Sequence, residues 1–142
     1  MEEDKIQKIL IRVVLEIAGH PKEHVESTMQ KLTEEVKEKF DVSKFDVFEA
    51  SNAKNIWSTF AEVEIYFEKT EDVIGFCLDY LPSSLEILEP DKMEMENFKL
   101  ADILNDVVGR LHEYETAVRN LRAHNIYLKK KIDGEDGTPK SD

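Results

Sequence analysis

One cysteine, Cys77, stands in 142 residues. No intrachain disulfide and no cysteine-built zinc site can form. Its place on an apolar helical face suits a buried packing thiol. No apolar run approaches the roughly 18 residues that a membrane span needs, so no membrane partner is expected. The opening Met-Glu-Glu-Asp has the wrong charge for a secretory signal, and a cytoplasmic location is the default expectation. Basic residues are also short: 19 Lys and Arg against 31 Asp and Glu, a net charge of −12. That balance argues against broad binding to nucleic acid or anionic membrane, since both depend on phosphate neutralisation. The chain has no glycine-rich phosphate loop and no nucleophile elbow. Its carboxylates are too many for any pair to be singled out by spacing. No catalytic residue, metal or cofactor is assigned, and the chain is not expected to be an enzyme.

What is present is a core and a long helix. Hydrophobic residues make up 41% of the chain, enough for one compact domain plus an extension. Ile9 to Ala18 alternates as a strand, with Ile9, Ile11, Val13, Leu15 and Ile17 on one face and a mixed second face. Gly19-His20-Pro21 breaks it, with Pro21 suited to the first helical position. Val25, Met29, Leu32, Val36 and Phe40 then recur at helical spacing. Lys44 to Ser51 predicts a second strand whose imperfect alternation points to a bulge. Asn52 to Asn55 is turn-rich. Trp57 to Glu68 alternates cleanly, with Trp57, Thr59, Ala61, Val63, Ile65 and Phe67 on the burying face. Trp57 and Phe60 are expected to pack in the core or at the sheet edge. Thr70 is placed to cap a second helix, with Val73, Phe76, Cys77, Tyr80 and Leu81 on one side. Leu85 to Leu88 is a short last strand.

The order strand, helix, strand, strand, helix, strand predicts an α+β fold: a ferredoxin-like βαββαβ sandwich with two helices on one sheet face, followed by a long C-terminal coiled-coil helix. The expected organisation is a domain over 6–89, a connector over 90–97, the helix over 98–133 and a disordered tail over 134–142. The residues before Lys5 are too polar to pack.

The helix carries a heptad. Leu100, Val107, Tyr114, Leu121 and Leu128 fall at d; Leu104, Leu111, Val118, Asn125 and Ile132 fall at a. About 33 residues at 1.5 Å each reach roughly 50 Å, longer than a small domain covers. From Thr116 to Ile132 there is no acid, while Arg119, Arg122, Lys129, Lys130 and Lys131 give +5; with the chain at −12, the rest carries −17. This end is a candidate contact for an acidic protein or RNA, and otherwise a solvated face suited to the negative end of the helix dipole. Ile103 and Val108 widen the apolar stripe, so the first half is expected to dock on the folded domain. Gly109 at an exposed f position is a candidate bend.

The segment from Leu121 to Ile132 resembles the dimeric leucine zippers of bZIP transcription factors. In that family a buried Asn at a favours a parallel, in-register pair. The DNA-reading basic region that precedes such zippers is replaced here by Asp102, Asp106, Glu113 and Glu115, which disfavours DNA reading. Arg110 at g faces Glu115 at the following e, an attraction, whereas His124 faces Lys129. An antiparallel pair would instead set the basic end against the acidic beginning.

His20-Pro21-Lys22-Glu23-His24 spells H-x-x-E-H, but Pro21 puts His20 at or before the helix cap, so the motif is read as capping or solvated histidines. The turn at Gly19 and His20 leads from a strand into a helix start that could take an anion. It lies where ACT domains, ferredoxin-like modules that bind amino acids, carry their effector, and that resemblance implies a ligand-sensing alternative. The whole chain is similar in layout to small uncharacterised archaeal proteins. The expected function is a non-enzymatic oligomerisation or adaptor protein, a homodimer through the helix that engages a protein partner. The alternatives are an ACT-like sensor and a ribosome- or RNA-associated factor using the basic helix end.

Overall fold

The structure, a computed structural model, describes residues 8–135. The chain divides between Glu94 and Met95 into two compact units. The first holds β1 (Ile9–Gly19), α1 (Lys22–Lys39), β2 (Asp41–Val47), β3 (Ser51–Ala53), β4 (Ile56–Phe67), α2 (Thr70–Tyr80) and β5 (Ser84–Glu89). The second holds α3 (Asn97–Glu135). Gly134 and Glu135, where the tail was expected to begin, belong to α3; the remainder of that expected tail, and residues 6 and 7 at the start of the expected domain, lie outside the described residues.

The sheet runs β2-β4-β1-β5 with β3 beside β4, and every pairing is antiparallel. With β3 counted as an extension of the β2 edge, this is the ferredoxin-like strand order. The expected α+β class is therefore what the chain adopts. Alternation decides which face buries. Ile11 pairs Ile65, Val13 pairs Val63 and Leu15 pairs Ala61, and all six are at most 2% exposed. Each large apolar side chain buried in this way contributes about 1.5–3 kcal/mol. From α1, Val25, Met29 and Val36 are buried in the same unit; from α2, Val73 and Phe76.

An aromatic cluster closes one end of the core. Phe40 meets Phe76 edge-on at 5.0 Å between ring centroids and Tyr80 at 5.6 Å, while Phe76 stacks on Tyr80 at 4.8 Å. Edge-to-face and offset contacts suit the charge distribution of aromatic rings.

Several local expectations are corrected. Pro21 is the N-cap rather than the first helical residue, and Lys69 rather than Thr70 caps α2, with no side-chain hydrogen bond at either cap. β2 begins at Asp41 rather than Lys44, because Phe40, extended at φ −128°, carries the chain from helix to strand with no loop between. The bulge lies between Val42 and Lys44, and it brings Val42 and Phe45 both onto the core face opposite Ile65 and Val63. The turn narrows to Lys54 and Asn55, both at positive φ as a tight hairpin requires. Leu81 stands out from its expected face: it is the left-handed cap of α2 and is exposed.

The opposite sheet face is mixed, with Leu10, Val14, Phe60 and Tyr66 among charged side chains. Arg12 at its centre donates to Glu64 Oε1 from Nη2 at 3.0 Å. It also lies 3.1 Å from Glu62 and 3.5 Å from Glu86, so one cation bridges β1 to both neighbouring strands. The hydrogen bond to Glu64 chiefly, and the three carboxylates together, hold the guanidinium above its ordinary pKa.

Candidate interaction surface

The second unit is one helix of 39 residues, about 58 Å at 1.5 Å per residue. No proline interrupts it and Gly109 lies inside it without ending it. Its halves differ in charge: Asp102, Asp106, Glu113 and Glu115 outweigh Lys99 and Arg110 in the first, and Arg119, Arg122 and Lys129 to Lys131 outweigh Asp133 and Glu135 in the second. Arg119 Nη2 donates to Glu115 Oε1 at 2.7 Å across one turn, at the junction of the two halves. Such an exposed pair supports the helix by only about 0.3–0.5 kcal/mol.

The seam residues lie on this one uninterrupted element. Leu100, Leu104, Leu111, Tyr114, Val118, Leu121, Leu128 and Ile132 are all exposed, as is Asn125 among them; Val107 is half-buried. In the flanking positions Ile103 is buried and Val108 exposed. Apolar side chains at spacings of three and four form a continuous stripe along one side of this helix. A stripe of this length open to water is a candidate association surface. The expected basic contact residues Arg119, Arg122, Lys129, Lys130 and Lys131 are exposed on the same half.

The other sequence candidates do not gather with them. Gly19 ends β1 opposite Trp57, and a Cβ there would meet Val25 Cγ2 at an ordinary 3.7 Å. His20 is exposed. The amides of His24 and Val25 already donate to the Pro21 carbonyl, at 3.1 and 3.2 Å. Since His20 precedes the N-cap, it and His24 do not share a helical turn. Among the described residues no group of three or more His, Cys, Asp or Glu is arranged to hold a metal ion. No helix among them is long and apolar enough to cross a membrane. Trp57 is half-buried with Lys22 Nζ 5.0 Å from its ring centroid, while Phe60 sits on the mixed sheet face opposite Glu16.

Two features were missed by the periodicity alone. A groove of about 450 Å³ opens between α1 and the residues joining β2 to β3, lined by Met29, Thr33, Val47, Phe48 and Thr59 among others. Its Thr59 hydroxyl donates to the Phe48 carbonyl at 2.7 Å. The second feature is Ile126 and Tyr127, exposed on the helix side away from the seam. Their signal was present as apolar residues at b and c, positions a zipper leaves polar.

A family model described as the MJ0538 family matches residues 10–140. The uncharacterised protein MJ0538 of Methanocaldococcus jannaschii is 29% identical over 129 residues, covering 88% of this chain and 48% of its own. The chain thus spans about half the length of that curated relative. No solved structure matches. With the match running from β1 to beyond the end of α3, the chain belongs to the MJ0538 family.

Proposed function

We propose that this protein is a dimeric adaptor, two α+β heads joined by parallel pairing of α3 with the same helix of a second copy. The observation that carries this reading is the run of exposed a and d side chains from Leu111 to Ile132 on one unbroken helix. Parallel pairing is preferred because of Asn125. In register it meets Asn125 of the second copy, and two amides satisfy each other across the seam. Antiparallel pairing about the middle of the stripe would set that amide against an apolar side chain near Val107 and leave it unbonded, at a cost of about 1–3 kcal/mol. The parallel register also sets Arg110 toward Glu115 of the second copy. Its cost is the approach of two basic ends, some tenths of a kcal/mol for each close pair.

A dimer of this kind presents two acidic heads at a fixed spacing, which suits a scaffold that engages a protein partner twice and gains from the high effective concentration of the second contact. Sedimentation of the purified chain at micromolar concentration tests the pairing. The expected result is a dimer that Asn125→Lys converts to monomer, since four charges would then crowd the seam with Lys129 nearby. A Leu128→Cys variant should cross-link to a second copy on mild oxidation, as d positions approach closely only in a parallel pair. A monomer that Asn125→Lys leaves unchanged overturns the reading, and a dimer without the cross-link overturns the orientation.

A further inference from the structure

The seam does not account for all of the apolar surface of α3. Phe98 is 61% exposed, Ile126 58% and Tyr127 62%, and none of the three occupies a or d. Heptad position places them on the outward side of a parallel pair. Phe98, Asp102 and Asp106 fall at b, f and c. Arg119, Ala123 and Tyr127 fall at b, f and c three heptads later. Both sets therefore lie on one outward face, and they read in opposite chemical order: aromatic, acid, acid in the first; cation, small, aromatic in the second.

Resting on the dimer reading, we propose that this outward face is a second self-association surface, through which two parallel dimers pack back to back and antiparallel into a tetramer. Phe98 to Asp106 and Arg119 to Tyr127 each span eight residues, about 12 Å of helix. Opposed antiparallel, the two sets match at both ends together. Phe98 meets Tyr127 of the other dimer and Asp106 meets its Arg119, with Asp102 opposite the small Ala123. A two-fold axis near the middle of the helix repeats the contact, as self-complementary interfaces require.

The same register holds where the helices cross the axis. Gly109 falls opposite Thr116, both small enough at f for close approach. His112 falls opposite Glu113, which avoids setting carboxylate against carboxylate. Arg119 already shares its guanidinium with Glu115 of its own helix, and its side chain remains 75% exposed. Asp106 of the second dimer therefore joins an existing pair without displacing it. Along the shared face the two aromatic contacts lie at the ends and the two ion pairs lie between them, so apolar anchors bracket the charged contacts on both sides.

Sedimentation velocity on the full chain, from micromolar to millimolar and at low and high salt, tests this. The expected result is a dimer that proceeds to a tetramer as concentration rises, less readily at high salt because exposed ion pairs are screened. Tyr127→Glu should weaken the dimer-to-tetramer step by about tenfold or more while leaving the dimer intact. Asp106→Arg and Arg119→Asp should each weaken it, and the two together should restore it. A dimer that never associates further overturns this inference alone, as does a double variant weaker than either single one. A monomer at every concentration overturns the dimer reading with it.

Discussion

β1 and α3 use the same kinds of residue and meet opposite fates. β1 carries Ile, Val and Leu at every second position, and Ile11, Val13 and Leu15 are buried within a single chain. α3 carries Leu, Val and Ile at every third and fourth position, and from Leu104 onward nearly all of its seam side chains remain exposed. Composition does not separate the two; supply of partners does. An 11-residue strand lies between two neighbours and beneath helices. A 39-residue helix outruns anything a domain of this size can place along it. Where the period predicts burial and the chain shows exposure, as along α3, the stripe is what the proposed pairing would cover.

Substitutions in the two regions should separate accordingly. The largest effect is expected in the core: Phe76→Ala removes a ring packed on Phe40, Phe67 and Tyr80 and should cost about 3–5 kcal/mol in denaturant unfolding. That loss should be independent of protein concentration. Next, Leu121→Ala should leave unfolding of the sheet unit unchanged yet lower the melting of α3 in a concentration-dependent way. Helical circular dichroism at two concentrations reads it, and a concentration-independent loss would collapse the contrast between the regions. The smallest effect concerns Cys77, whose burial raises its thiol pKa. Folded protein should be alkylated more slowly than unfolded protein. Since the folded state holds its proton to higher pH, this group favours folding below the ordinary thiol range. That contribution is lost as pH rises through the raised value.

Much of the fold was legible because its period was uniform. The faces of β1 and β4 could be assigned residue by residue, since each buries one side against helices and leaves the other to a mixed set that includes Arg12, Glu62 and Glu64. The start of β2 was not legible. Asp41, Ser43 and Lys44 resemble a loop, and only the bulge after Val42, a property of pairing with β4, makes them a strand. Leu81 was misplaced for a related reason: the helical spacing continues through it, but the backbone turns left-handed there at φ 47° and carries it outward. On the helix, the apolar stripe was plain from spacing, whereas Tyr127, which spacing reads as a packing residue beside it, is exposed together with Ile126.

The break in the outer strand has a consequence of its own. β2 is kinked by its bulge, Phe48 stays tied to β4 through its amide on the Phe60 carbonyl and the Thr59 hydroxyl on its own carbonyl, and residues 49–50 leave the ladder. That edge therefore presents no long, flat row of unpaired amides, only two short and offset pieces. Edge strands of this shape are poor templates for strand-to-strand polymerisation. In a protein proposed to hold its copies close together, such an edge makes strand-to-strand growth along this side of the sheet unfavourable.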